Sequence, residues 1–389
     1  MPFSPMTTGL ELHLQLFDQL SRRAAEGEVY RRILEDILGF SVENVLISTA
    51  EHTAPFNRGH TVSFLLPQLI LQQAGLKPRA PLLILAASLI PLDNEHYPRG
   101  FLLPRGRFNL FPCRQRKKSP ALLPPVKASE RAGAPAFFSR YPWLRRVFEE
   151  ERGFSSYADQ VSACMEGMAH HWFSESPPGQ VRVRPLEAVA RQMLIRLLEA
   201  DDALVRQLLF DQKMRGLVAR DLMGIFCAWG QIQGSFYFWG AREAGVARLR
   251  EENDYLVGES FRIPLEKDSL LDWLQAGRLW PGVFLSLLMV SFFPSLPISG
   301  GPKQLHYYRL MIRAANRLSC RPREEWLAGY GYMAMDFTGM RLRRGNGELL
   351  PDCTPGLVLA NAELDPDWLA EELSRLPLRP FPEVMPGLR

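Results

Sequence analysis

Three short stretches gather the side chains of this chain that can do chemistry. Glu51 and His52, with Asn57, Arg58 and His60 close behind, form the first. Asp93, Asn94, Glu95, His96 and Arg99 form the second, and Ser299-Gly300-Gly301-Pro302-Lys303-Gln304-Leu305-His306-Tyr307-Tyr308 is the third. An imidazole titrates near neutrality and an adjacent carboxylate tunes that value, so His52 with Glu51, and His96 with Glu95, suit general acid–base catalysis. The same four residues have two other uses open to them: joint ligation of a divalent metal without help from cysteine, or structural hydrogen bonding. Arg58 and Arg99 can grip a carboxylate or phosphate bidentately, with Asn57 and Asp93 as further polar contacts. In the third stretch, Gly300 and Gly301 let the backbone approach a bound group, and Pro302 fits the first position of a helix. The unpaired N–H groups of a helix start, with Lys303, suit an anion, while Gln304, His306 and Tyr307 supply directional hydrogen bonds. The plain alternative for this stretch is a strand-to-helix turn.

The elements that must carry these residues are legible as changes of period. Residues 44–50 form a short β-rich run that delivers Glu51, residues 61–73 have helical spacing, and Pro81–Ile90 reads as a strand buried on both faces that delivers Asp93. Strand, helix, strand predicts a parallel sheet with a right-handed crossover and ligands at the carboxyl ends of the strands. Both N-terminal polar sets then belong to one sheet edge. The expected fold class is α/β, a Rossmann-type parallel sheet core with large helical additions. Residues 1–118 would be the N-terminal part of the core, 119–230 a mainly helical insertion or second domain, 231–330 the remainder of the core with the Gly-Gly-Pro turn, and 331–389 a Pro-rich tail.

Elsewhere the spacing predicts amphipathic helices over 8–25 and 29–38, the latter with Ile33 and Ile37 in its apolar pattern, and edge strands within 100–111. It predicts helix over 141–172 and an almost unbroken helical run over 185–226, with Asp201-Asp202 placed as a cap. Short strands are expected at 231–239 and 260–265, flanking an Arg- and Glu-rich helix at 241–253. Further helices are expected at 270–279, at 304–318 with Leu310, Ile312 and Ala315 inward, and at 367–376. His170 and His171 are neighbours on a helix and point about 100° apart, so each reads as a core or interface histidine and not as half of a metal pair.

Composition bounds the function. The chain has 389 residues, 47% hydrophobic and 23% charged, the balance of a globular protein of one large or two ordinary domains. Forty-six Lys and Arg against 42 Asp and Glu leave +4 overall, so no whole-chain field calls for nucleic acid or an anionic membrane. Arg105, Arg107, Arg114, Arg116, Lys117 and Lys118 cluster locally, as a solvated loop or a trap for an anionic substrate; aromatic residues interleave only at Phe108 and Phe111, which disfavours nucleic acid. The five cysteines are odd in number and never spaced Cys-x-x-Cys, which fits a reducing compartment. No basic segment followed by an apolar run opens the sequence, and the apolar segment 283–296 falls short of the roughly 20 residues that span a membrane. The expected setting is cytoplasmic, with small-molecule substrates, no membrane or nucleic-acid partner, and self-association left open. Walker, Gly-x-Gly-x-x-Gly, Gly-x-Ser-x-Gly and His-Glu-x-x-His motifs are absent, so no cofactor is specified.

The block from Pro281 through Leu296-Pro297 to Gly300-Gly301-Pro302, with Tyr307 and Tyr308 close behind, resembles the cysteine-adding enzyme of bacillithiol biosynthesis, which has an apolar stretch, a Leu-Pro, a Gly-Gly-Pro and a nearby Tyr in similar order. That family's Gly-Gln-Gln loop and Glu-Asp-His segment would fall at Glu51-His52 and at Asp93 to His96. The chain departs from it in lacking Gly-Gln-Gln, in carrying Lys303-Gln304 where an acidic residue is expected, and in its Pro-rich tail where the family has a long helical coil. The resemblance implies a Rossmann-type nucleotidyltransferase core with added helices. It also implies a ligase-like biosynthetic enzyme that joins an amine- or thiol-bearing small molecule to a second one. Two readings from other classes stand beside it: a non-catalytic binding or assembly protein on the same fold, and a metal-dependent hydrolase.

Overall fold

The computed structural model describes residues 27–42, 47–50, 82–91, 100–103, 106–109, 118–127, 134–149, 153–172, 181–223, 237–243, 245–296, 298–299, 310–318, 342–343, 346–350 and 371. These residues fall into two compact units, which divide the chain between Pro185 and Leu186, inside the stretch 119–230. The first described helix, α1 (Glu28–Leu38), belongs to the second unit together with residues 186–318.

The first unit contains β1 (Ile47–Ala50), β2 (Leu82–Ala86), the hairpin strands β3 (Gly100–Leu103) and β4 (Gly106–Asn109), helices α2 (Ala134–Arg140), α3 (Pro142–Glu149) and α4 (Tyr157–Trp172), and β5 (Val181–Pro185). β1, β2 and β5 pair in parallel in that order, with Ala50 opposite Ala86 and Ala86 opposite Pro185. Leu83, Ile84, Leu85 and Ala86 are wholly buried, which is why β2 reads as a continuous apolar run and not as an alternation. β5 does alternate: Val181 and Val183 are buried while Arg182 and Arg184 are half-buried. The hairpin of β3 and β4 agrees with the weak alternation of residues 100–111. Helix α4 is tied to β5 through Glu166, whose carboxylate accepts from Val183 N and from Arg184 Nη1, each at 2.8 Å. Residues 153–156 are not helical, so the helical run expected over 141–172 is broken between α3 and α4.

In the second unit α1 packs on α5 (Leu186–Glu199). Its buried positions are Arg31, Leu34 and Leu38, so the inward face is turned one residue past Ile33 and Ile37, which are half-buried. The run expected over 185–226 is three helices: α5, α6 (Ala203–Phe210) and α7 (Gln212–Leu222). Aspartates make the breaks. Asp202 accepts from Leu204 N and Val205 N at 3.0 Å each, and Asp211 from Met214 N at 3.0 Å, so each satisfies N–H groups that a new helix start leaves unpaired.

A set of antiparallel strands follows: β6 (Phe238–Arg242), β7 (Gly245–Arg248), β8 (Arg250–Glu252), β9 (Tyr255–Gly258) and β10 (Phe261–Pro264). This corrects the helix expected at 241–253. Ala247 and Leu249 are buried while Val246 and Arg248 are half-buried and Arg250 is exposed, a period of two that charged residues every few positions disguise as a helical face. Asn253, at φ 55°, then makes the tight turn between β8 and β9.

Helix α8 (Lys267–Gln275) stops short of the expected Leu279, because Gly277 takes φ 67° and Arg278 N bonds back to Trp273 O at 3.0 Å. Leu279 instead belongs to β11 (Leu279–Pro281), which pairs with β6. Helix α9 (Val283–Leu287) passes into a π-helical turn, Leu288–Phe292, and every residue from Val283 to Pro294 is buried, as the apolar run requires. Residues 310–315 are helical; Ile312 and Ala315 are fully buried and Leu310 half-buried. Among the described residues, no helix is long and apolar enough to cross a membrane.

Candidate functional site

Glu51, His52, Asn57, Arg58, Asp93, Glu95, His96, Arg99, Gly300, Gly301, Lys303, Gln304, His306 and Tyr307 all lie outside the described residues, as do His60 and most of the basic cluster at 105–118. What is described is the frame from which those stretches leave. β1 ends at Ala50, the residue before Glu51, and β2 ends at Ala86, directly opposite it in the parallel register. The two strands therefore release the chain at one edge of the sheet, level with each other.

The exit from β2 is held in place. Ser88 is fully buried and its carbonyl accepts from Ala121 N at 3.0 Å, while Ser119, also fully buried, donates its hydroxyl to Leu89 O at 2.5 Å. Residues 118–127 are in turn anchored on α4. Gln160 accepts from Val126 N and donates to Val126 O, both at 2.8 Å, and Tyr157 N donates to Leu123 O at 2.8 Å. A primary amide that matches both polar groups of one residue in a buried place leaves neither unsatisfied, which is what permits this irregular segment to lie against the core. The stretch 119–230, expected as a mainly helical insertion or second domain, thus begins, through 127, as a brace for the end of β2.

Several buried ionisable groups escaped the sequence reading. Arg215 of α7 is only 1% exposed; its Nε donates to Glu251 at 2.6 Å, one Nη to Leu209 O at 2.7 Å and the other to Asp254 at 3.0 Å. Burial works against its charge, but the hydrogen bonds and charges of Glu251 and Asp254 outweigh that and raise its pKa. Tyr237 donates to Arg215 O at 3.2 Å, and burial, aided by Glu251, pushes its phenol well above the ordinary range. Asp221, 4% exposed, accepts from Arg317 Nε at 2.8 Å and lies 3.5 Å from Arg313. Arg191 stacks on Trp280 at 4.2 Å, with a buried Nε that has no hydrogen-bond partner, and burial lowers its pKa. Burial likewise pushes up the Cys164 thiol and the Tyr157 phenol. The Arg215 and Asp221 clusters each surround a buried charge with groups of opposite sign, which is the work of structural staples. No short-range signal marks them, since Glu251 and Asp254 lie 36 and 39 residues from Arg215.

Among the described residues, no group of three or more His, Cys, Asp or Glu side chains could hold a metal ion. The chain matches no protein-family model and no curated protein sequence.

Proposed function

We propose that this chain is a biosynthetic enzyme of the ligase or transferase type, built on a Rossmann-type parallel sheet. It joins an amine- or thiol-bearing, amino acid-like small molecule to a second small molecule at the carboxyl edge of that sheet. The observation that carries the reading is the parallel pairing of β1 and β2, with Ala50 level with Ala86, because the two acid–base sets follow these strands in sequence. In open α/β sheets that edge is where ligands bind. The braced exit of β2 adds support, since a reacting group has to be held to a fraction of an ångström.

In this reading the second substrate is activated as a phosphate ester or acyl phosphate by a nucleoside triphosphate. His52 and His96, tuned by Glu51 and Glu95, take a proton from the attacking amine or thiol and return one to the phosphate that departs as the new bond forms. Arg58 and Lys303 hold an anionic part of the substrate, and the Gly300-Gly301 backbone approaches it. Asn57, Asp93, Arg99, Gln304, His306 and Tyr307 complete the polar contacts. The setting proposed is the cytoplasm, with small-molecule partners and neither nucleic acid nor membrane.

The test is to incubate the purified protein, with and without ATP and magnesium, with pairs drawn from amino acids and thiols on one side and sugar phosphates and carboxylates on the other, and to search for joined products by mass spectrometry. His52→Ala and His96→Ala should each lower turnover by roughly 100-fold or more while the circular dichroism spectrum is unchanged. Arg58→Ala and Lys303→Ala should mainly raise KM for the anionic partner. Wild-type turnover in both histidine variants would refute the catalytic assignment. Binding of the anionic compounds without any joined product would favour the binding-protein reading instead.

A further inference from the structure

We propose that the first turn of α1 is a latch. It holds the turn between Leu288 and Leu296 in a form it would not keep alone, and so positions the backbone that enters Ser299-Gly300-Gly301. The functional side of this inference rests on the proposed role of that stretch as a wall of the site.

The held turn departs from ordinary helix in three ways. Phe293 N bonds to Leu288 O at 2.9 Å, and Leu296 N to Ser291 O at 2.9 Å, each one residue longer than an α-helical bond. Ser291, fully buried, donates its hydroxyl to Leu296 O at 2.6 Å, and Ser295 takes φ 56°, where a residue with a Cβ is disfavoured. π-helical turns are rare, and they and left-handed non-glycine residues persist when the surroundings over-determine them.

Those surroundings come from the first turn of α1, 263 residues earlier in the chain in the case of Arg31 and Pro294. Gly27 has φ 83°, and a Cβ there would run into the carbonyl oxygen of Phe293 and come within 2.8 Å of the Pro294 carbonyl carbon, so the backbones meet only because residue 27 is glycine. Arg31, 8% exposed, donates from Nη1 to Pro294 O at 3.4 Å across 263 residues of sequence. The Tyr30 ring lies 5.1 Å from that of Phe293, and its hydroxyl donates to Asp202 Oδ2 at 3.0 Å, fixing the latch to the aspartate that caps α6. If the turn slipped from π to α geometry, the chain beyond it would shift by one residue, about 1.5 Å along the axis and 100° around it. A displacement of that size at Ile298 and Ser299 would disarrange any group held by the glycines that follow.

Amide hydrogen exchange on the full-length protein tests the latch directly. In Arg31→Ala the amides of Phe293, Leu296, Ile298 and Ser299 should exchange about tenfold faster, the lower end for losing a hydrogen bond from a charged donor. The amide of Leu208 in α6 should keep its wild-type rate. Arg31→Lys retains a cationic donor and should restore most of the protection, and Ser291→Ala should loosen the same four amides without touching α1. Unchanged exchange at these amides in Arg31→Ala, or an increase shared equally by Leu208, would overturn the latch. Titration with inorganic phosphate separates the two claims. Weaker phosphate binding in Arg31→Ala supports the coupling to the site, whereas a wild-type protein that binds no phosphate refutes the role given to the Ser299 stretch and leaves the exchange rates to decide on the latch.

Discussion

Replacing Arg215 by Met should be among the most damaging single substitutions in the second unit. The guanidinium is 1% exposed, and its removal strands Glu251, 26% exposed, and the Leu209 carbonyl, which each lose a charge-assisted bond. Breaking a buried ion pair from one side costs roughly 3–5 kcal/mol, because the surviving charge stays partly desolvated. Asp254 is 72% exposed, so solvent screens its share, and Asp254→Asn should cost under about 1 kcal/mol. Glu251→Gln keeps a neutral acceptor for the guanidinium and should fall between the two. At about 2–4 °C per kcal/mol for a unit of this size, Arg215→Met should lower Tm by on the order of 10 °C. The assay is urea unfolding of the single variants and of the Arg215→Met/Glu251→Gln double variant, read by hydrogen exchange at α7 and β9 so that the other unit does not contribute. The double variant should be more stable than the sum of the single losses predicts, by roughly 0.5–3 kcal/mol. A loss below about 1 kcal/mol for Arg215→Met, or strict additivity in the double variant, would show that the pair is not a buried staple.

Asp202→Ala removes the acceptor for Leu204 N, Val205 N and the Tyr30 hydroxyl, and should cost about 1–2 kcal/mol in urea unfolding, with Asp202→Asn recovering most of it. Alkaline pH should destabilise the fold. Cys164, Tyr157 and Tyr237 have folded pKa values raised above the ordinary 9.0 and 10.0, so above about pH 9 the unfolded chain holds fewer protons than the folded one and unfolding becomes easier as pH rises. The stability these groups contribute is complete below pH 9; denaturation midpoints that stay constant from pH 8 to 11 would contradict this. The buried Cys164 thiol should also react with a thiol reagent only after denaturant is added, which mass spectrometry of the labelled peptide reads out.

Much of the local architecture was legible in the residues. The continuous apolar run of β2 and the 3.6-residue spacing of α5 to α7 announce themselves, and Asp202 caps a helix as its type and place suggest. The misreadings have local causes too. β5 is only five residues long and runs directly into α5; no element was expected at 181–184, and its last residue, Pro185, fell at the start of the helical run. β7 and β8 carry charges dense enough to imitate an exposed helix face, and only the burial of Ala247 and Leu249 reveals the pleat. The expected end of α8 at Leu279 overlooked what a left-handed glycine does to a helix, though Gly277 stood in plain view.

The sequence by itself determined which segments are apolar, where the chain turns, and that two sets of acid–base residues follow two strand-like runs, since periodicity, caps and glycines act over a few residues. Only the tertiary structure decided that those runs lie side by side in parallel with Ala50 level with Ala86, and that residues 118–127 brace the end of β2. It also decided that Arg215 is satisfied by Glu251 and Asp254, and that Gly27 and Arg31 meet the backbone of Phe293 and Pro294 just after the π-helical turn. These pairings join residues tens to hundreds of positions apart. Their energies depend on the path of the whole chain, and no local pattern of residues encodes that path.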